Sequence, residues 1–106
     1  MLGGMLESGL VLCHPFVIGE LACGSLHQRA TILSALCALP AAPVATQEEA
    51  LVFLDRHGLA GRGIGWVDVH LLASTALAGR ARLWTRDRSL ALVAAGLGFG
   101  HATECR

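Results

Sequence analysis

Hydrophobic and polar positions divide the chain into short apolar runs and longer segments with helical spacing. Residues 10–13 and 81–85 are short apolar runs bounded by polar or turn residues, which predicts two buried strands, and Phe99 could belong to a third. The other patterned segments are predicted to be helical. They are residues 2–8 as the end of a helix, a helix that opens at Pro15, residues 26–38, 46 to about 57, about 67–78, and 87 to about 95.

Several of these helices carry recognisable start and stop signals. Pro15 suits a first helical turn. Thr46 is followed three residues later by Glu49, the spacing of a capping box. Gly79 is a typical C-terminal stop, and the glycine-rich residues 61–65 predict a loop. Strands separated by helices of about 10 residues indicate parallel pairing through crossover helices, so the expected fold class is α/β, with a small parallel sheet flanked by helices.

Length and composition favour one well-buried globular domain. The chain has 106 residues and is 54% hydrophobic. Its apolar runs are interrupted well before the roughly 18 to 20 residues that a membrane span requires. The first basic residue is Arg29, so the N-terminus lacks the charged start of a secretory signal. We therefore predict a single cytoplasmic domain, spanning residues 1–106, that does not cross a membrane.

Charge is distributed unevenly along the chain. Residues 1–55 hold one Arg against five acids, and residues 56–106 hold seven Arg against three acids. Arg side chains bind phosphate through two hydrogen bonds, so an anionic partner near the C-terminal half is plausible. A genome rich in G and C would also encode Arg in place of Lys. Charge alone therefore does not decide between these interpretations.

Three acids lie in segments that are otherwise apolar: Glu20, Asp68 and Asp87. A lone acid in an apolar segment costs free energy unless it is paired or bound to a metal. Asp68 and Asp87 are predicted at the starts of helices, where functional groups of open α/β sheets collect. Acids that converge there would suit Mg²⁺ or Mn²⁺. The alternative is structural, because Asp often caps helices and Glu20 could pair with an Arg.

Three motifs that contain these acids resemble a known family. The segments 14–24 (HPFVIGELACG), 63–74 (GIGWVDVHLLAS) and 83–90 (LWTRDRSL) are similar to PIN-domain ribonucleases, and the closest group is the VapC toxins of bacterial toxin–antitoxin pairs. The likeness runs from about residue 2 to residue 100. It implies an endoribonuclease that cleaves RNA with Mg²⁺ or Mn²⁺ held by Glu20, Asp68 and Asp87. It also implies a VapB-like antitoxin that masks the site, and a homodimer.

The chain departs from the family pattern at its start. A PIN domain normally begins with a central strand that ends in an Asp metal ligand, followed by a helix, before the segment that matches residues 2–13 here. This chain has no such strand, and its first acid, Glu7, matches nothing. We expect either a start codon placed too far downstream or an N-terminally truncated domain. Loss of a central strand should leave backbone groups of two neighbouring strands unpaired, lower stability and weaken metal binding.

Other residues near the acids have two interpretations each. Arg86 and Arg88 could contact RNA phosphates or form a solvated edge. Thr85 could orient a water or a metal-bound ligand, or simply be a β-branched strand residue. Trp66 and Trp84 could stack on bases, although a Trp in an apolar strand or loop usually belongs to the core. His70 is separated from Asp68 by two positions, which places the two side chains on different helix faces.

Two rival functions remain open from the sequence. One is a catalytically inactive PIN remnant that only binds its antitoxin. The other is a cation-binding α/β regulatory module of the receiver type. A receiver should carry two adjacent acids at its first strand and a Lys, and this chain contains no Lys.

Overall fold

The computed structural model describes residues 3–7, 10–79, 81–85 and 87–100. Its helices and strands follow the pattern of the sequence after residue 10. The elements are β1 (Gly3–Glu7), β2 (Leu10–Leu12), α1 (Pro15–Cys23), α2 (Arg29–Cys37), α3 (Gln47–Arg56), α4 (Trp66–Ala78), β3 (Arg82–Thr85) and α5 (Arg88–Gly96). Within these residues, none of the helices is long and apolar enough to cross a membrane.

Helix α4 forms the centre of the molecule. Seven consecutive residues, 69–75, are buried, so this helix is covered by other elements on every side. Leu71 and Leu72 join the main core, to which α1, β3 and α5 contribute Val17, Leu83 and Leu90, among others. Val69 and Ala73 pack instead toward α3. Each fully buried Leu contributes about 1.5–3 kcal/mol, which fixes the position of α4 and of its N-terminal turn.

The sheet corrects two predictions. Residues 3–7 form a strand, so the prediction of a helix end at 2–8 is wrong. Strand β1 lies between β2 and β3 and pairs antiparallel with both, with Met5 opposite Leu12 on one side and Leu83 on the other. The expected parallel pairing is therefore wrong for these strands. Only two residues separate β1 from β2, and a connection that short permits an antiparallel hairpin but no parallel crossover.

The position of β1 has two consequences for the rest of the sheet. Because β1 pairs with both neighbours, the expectation that two strands would face each other with unpaired backbone groups is also wrong in this structure. Because β2 and β3 both run antiparallel to β1, they point in the same direction. Isolated parallel bridges join Cys13 to Ala41 and Leu83 to Gly100; the second bridge lies next to Phe99, where a last strand was predicted.

The predicted helix ends agree closely with the structure. Thr46 Oγ1 accepts a hydrogen bond from the Glu49 N–H at 3.1 Å, and Glu49 Oε1 accepts one from the Thr46 N–H at 2.8 Å, which completes the predicted capping box. Gly79 follows α4 with a φ of 84°. Helix α2 begins at Arg29 rather than at residue 26, because Gln28 adopts a left-handed conformation with a φ of 53°.

We expect Thr46→Ala to lower the free energy of unfolding by about 1 kcal/mol, because the Glu49 N–H in the first turn of α3 loses its acceptor, Thr46 Oγ1. Urea denaturation followed by circular dichroism measures the change. Thr31→Ala is the matched control: Thr31 is exposed in the first turn of α2, where no side chain caps the helix. Equal losses in both variants would show that the capping box does not stabilise the fold.

Candidate active site

The three predicted acids come from three helices around one edge of the sheet. Strands β2 and β3 end at this edge, and α1 and α5 begin there, immediately after His14 and Asp87. Asp87 is the N-cap residue of α5, and Asp68 lies in the first turn of α4. Glu20 lies in the second turn of α1 and is exposed. The predicted placement of Asp68 and Asp87 at helix starts is confirmed.

Asp68 is the acid whose ionisation is most affected by the fold. Its Oδ2 accepts a hydrogen bond from the Gly65 N–H at 3.1 Å. The pKa of Asp68 is raised above its ordinary 3.8, first by burial and then by the negative charges of Asp87 and Glu20, while the Gly65 N–H lowers it. The net direction shows that burial and repulsion outweigh the hydrogen bond. The same effect shows that the three acids, distant in sequence, lie near one another in space.

Asp87 is held by two hydrogen bonds with different roles. Its Oδ1 accepts from the Leu90 N–H at 3.1 Å and caps α5. Its own N–H donates to Thr85 Oγ1 at 3.2 Å. Thr85 is buried, with 1% of its surface exposed. Its hydroxyl oxygen therefore accepts from the backbone of Asp87 and helps to position the carboxylate. The predicted role of Thr85 in orienting a water or a metal-bound ligand stays a prediction.

Glu20 borders a small surface hollow at the turn between α1 and α2. The hollow has a volume of about 340 Å³ and is lined by Glu20, Leu21, Gly24, Ser25 and Leu26. Because Glu20 is exposed on the side of its helix, its long side chain can change rotamer at little cost. This distinguishes it from the two Asp side chains, which are half-buried and tied to backbone N–H groups.

The donor chemistry of the site fits a hard divalent cation, but its geometry is open. Carboxylate oxygens are the ligands that Mg²⁺ and Mn²⁺ prefer. Among the residues that the structure describes, no group of three His, Cys, Asp or Glu side chains is arranged closely enough to hold a metal ion. The charges of the three acids thus act on one another, but as the described residues are placed these acids do not form a group that could hold a metal ion.

Exposed arginines adjoin two of the elements that carry the acids, whereas Arg82 lies at the opposite end of β3 from Asp87. Arg88 is the first residue of α5 and is exposed, and Arg62 is exposed in the glycine-rich loop before α4. Arg82 is exposed and donates a hydrogen bond to the Gly100 carbonyl at 3.4 Å. Arg86, predicted as a phosphate contact, lies outside the described residues. Phosphate contacts by Arg88 and Arg86 thus stay predictions.

A row of four aromatic rings joins the start of α1 to α4. The sequence suggests base stacking for Trp66, but it assigns no role to the row as a whole. His14 contacts Phe16 with ring centroids 4.8 Å apart, Phe16 contacts His70 at 4.9 Å, and His70 contacts Trp66 at 4.7 Å. His14 and His70 are both buried. Burial, followed by the effect of His70, lowers the pKa of His14 to about 4, so His14 is neutral at pH 7. The signal in the sequence was the i, i+4 spacing of Trp66 and His70, which places them on one helix face.

Polar atoms behind this row lack partners. His14 Nδ1 accepts from the Phe16 N–H at 3.0 Å. His14 Nε2, His70 Nδ1 and Ser74 Oγ are buried and have no hydrogen-bond partner within the described part of the chain. Unsatisfied polar groups of this kind each cost about 1–3 kcal/mol. The polar groups buried beside the site therefore leave part of their hydrogen-bonding capacity unused.

Comparison with known proteins shows a strong likeness to one named group. Ribonuclease VapC32 of Mycobacterium tuberculosis, from strain CDC 1551 / Oshkosh and from strain ATCC 25618 / H37Rv, is 50% identical to the chain over 92 residues, which are 87% of this chain and 74% of the relative. No family model matches the chain. No solved structure gives a significant match. The family predicted from the three acidic motifs is confirmed: the chain belongs to the VapC family of ribonucleases.

Proposed function

We propose that this VapC-family ribonuclease, the toxin of a type II toxin–antitoxin system, cleaves RNA with Mg²⁺ or Mn²⁺ held by Glu20, Asp68 and Asp87. One observation carries the proposal: the charges of Asp87 and Glu20 both raise the pKa of Asp68. Carboxylates that repel one another across a shared space lower the stability of the fold. A divalent cation bound between the carboxylates would remove that repulsion, so a metal-binding role explains why the acids lie together.

The chain's own residues prepare the site in the absence of a cation. The Gly65 N–H holds Asp68 Oδ2, and the Leu90 N–H holds Asp87 Oδ1. The second oxygen of each carboxylate remains available to a ligand. The N-termini of α4 and α5 carry partial positive charge, which favours ionised carboxylates and an approaching phosphate. When bound, a divalent cation would lower the pKa of a water and offset the charge that grows on the phosphate.

Residues beside the acids have supporting roles in the proposal. Thr85 is a positioning residue, because its hydroxyl accepts from the Asp87 N–H. Arg88 and Arg86 would contact RNA phosphates on either side of Asp87. We further propose that residues 1–106 form a single PIN-like domain and that the protein works in the cytoplasm, where RNA and its antitoxin are available.

Another observation, the open arrangement of the acids, supports a rival function. The described acids do not form a closed group of three metal ligands, which is what a catalytically inactive PIN remnant that only binds its antitoxin would show. A preparation that binds a VapB-like antitoxin but cleaves no RNA with Mn²⁺ at any concentration would favour this remnant. Cleavage with Mn²⁺ would favour the nuclease.

We expect Asp87→Asn to abolish metal-dependent RNA cleavage, because the change removes a negative ligand while its amide oxygen can still cap α5. The loss should be at least about 100-fold, the scale seen when a group that stabilises transition-state charge is removed. Cleavage of a labelled RNA with Mn²⁺ measures it. Asp55→Asn is the matched control, since Asp55 is exposed on α3. Cleavage that survives Asp87→Asn, or needs no metal, would overturn the metal site.

Asp68→Asn should stabilise the metal-free protein at neutral pH. The pKa of Asp68 is higher in the folded state than its ordinary 3.8, so its ionisation favours the unfolded chain and stability falls as pH rises through the folded-state pKa. Asn removes this penalty and its oxygen can still accept from the Gly65 N–H. Melting temperatures between pH 4 and pH 8 should therefore show an advantage for the variant that grows with pH.

The same melting experiment tests whether a divalent cation binds at the acids. Mn²⁺ should raise the melting temperature of the parent protein at pH 7, because a ligand that binds only the folded state stabilises it. The Asp68→Asn variant should gain little. A variant that melts below the parent at pH 7 without metal would contradict the repulsion inferred at Asp68.

We propose that the homodimer forms through the face of α3 and α4. A groove of about 500 Å³ lies there, lined by Glu48, Glu49, Val52, Phe53, Arg56, His57, Ala73, Ala76 and Leu77. Val52 and Leu77 are large apolar side chains that are 57% and 49% exposed. Helix α3 is acidic at its start and ends in Arg56. A two-fold axis near Val52 would place the acidic end of one copy against the basic end of the other.

Val52→Glu should convert the dimer to a monomer, because it places a charge at the centre of the proposed apolar contact. Size-exclusion chromatography with light scattering measures the mass. Leu92→Glu is the control, because Leu92 is 71% exposed on α5, away from the groove. A dimer that withstands Val52→Glu and dissociates with Leu92→Glu would place the interface on α5 instead.

A further inference from the structure

We propose that the indole ring of Trp66 is a stacking platform for an unpaired base of the RNA, next to the acids. The inference rests on the proposed RNA-cleaving function and adds a substrate-binding residue to it. Trp66 is the first residue of α4, two positions before Asp68. It is 41% exposed, so the expectation that a Trp in this apolar segment belongs to the core does not hold for Trp66.

The position of Trp66 distinguishes it from other exposed apolar residues. Single exposed hydrophobic side chains are normal on a protein surface. Trp66, however, directly follows Gly65, whose N–H holds the Asp68 carboxylate at 3.1 Å, so this carboxylate folds back toward the helix end that carries the ring. A nucleotide whose phosphate reached these acids would bring its base within reach of the ring. Tryptophan binds bases through its face, and this contact works with any base because every base has a π-face.

Contacts with neighbouring aromatic rings hold the indole ring of Trp66 in place, as a stacking surface requires. Trp66 meets His70 edge to face, with centroids 4.7 Å apart and an angle of 89° between the ring planes. His70 is buried and contacts Phe16 in turn, at 4.9 Å. A side chain already held in place by such contacts loses little conformational entropy when a ligand binds. The aromatic row thus orders the indole before RNA arrives.

Charge around the ring favours RNA over a protein partner. Arg62 is exposed in the loop that leads into α4, and the N-terminus of α4 contributes partial positive charge. Sites for single-stranded nucleic acid combine aromatic rings with positive groups that follow the backbone. The carboxylates alone would repel RNA, so contacts of this kind must supply part of the binding free energy.

The test measures binding of a fluorescein-labelled, single-stranded RNA of mixed sequence by fluorescence anisotropy, in EDTA so that no cleavage occurs. Trp66→Ala should weaken binding by roughly 5- to 150-fold, the range expected for loss of one stacked base. Trp66→Phe, which keeps an aromatic face, should restore most of the affinity. Leu92→Ala removes an exposed apolar side chain elsewhere and should change nothing. Intrinsic fluorescence should be quenched by RNA in the parent and much less in Trp66→Phe.

The outcomes separate this inference from the function on which it rests. If the parent protein neither cleaves RNA with Mn²⁺ nor binds it in EDTA, the proposed function fails. If the parent cleaves and binds RNA but folded Trp66→Ala binds equally well, only the platform is overturned. If Trp66→Ala keeps its RNA affinity and loses affinity for a VapB-like antitoxin, the ring contacts protein and the inference is wrong. Circular dichroism melts confirm that each variant is folded.

Discussion

The burial of α4 is the constraint on which the rest of the structure depends. A helix with seven consecutive buried residues cannot lie on a surface, so α1, α3, β3 and α5 must pack around it. That packing leaves only the ends of α4 near water. The N-terminal end, with Trp66 and Asp68, is thereby presented beside the starts of α1 and α5. The hydrophobic core and the candidate site are consequences of the same requirement.

Features of the candidate site lower the stability that the hydrophobic core provides. Burial and two neighbouring negative charges disfavour ionised Asp68, and three buried polar atoms, on His14, His70 and Ser74, have no hydrogen-bond partner among the described residues. Each of these features costs free energy in the unliganded protein. Helix N-termini and backbone N–H groups recover part of that cost. Binding of a cation and of RNA would recover more, which links stability to ligand in a small domain with little reserve.

Local signals predicted much of the chain because they act over a few residues. The capping box of Thr46 and Glu49, the stop at Gly79 and the start at Pro15 are decided within one helical turn, and the structure contains all three. Strand β1 was missed because two glycines and a short span give no clear period. Strand β1 runs antiparallel to β2 because only two residues connect the two strands. The length of this connection, and not the hydrophobic pattern, decides how the strands pair.

The sequence by itself determined the family, the helix ends and the three unusual acids, because motifs and caps depend on residue type and spacing. Only the tertiary structure decided that the charges of Glu20 and Asp87 act on Asp68, since separation along the chain carries no information on distance. It also decided that Trp66 reaches the surface while Leu71 and Leu72, from the same apolar run, do not. All lie on one helix, and the depth of each residue follows from what packs against it.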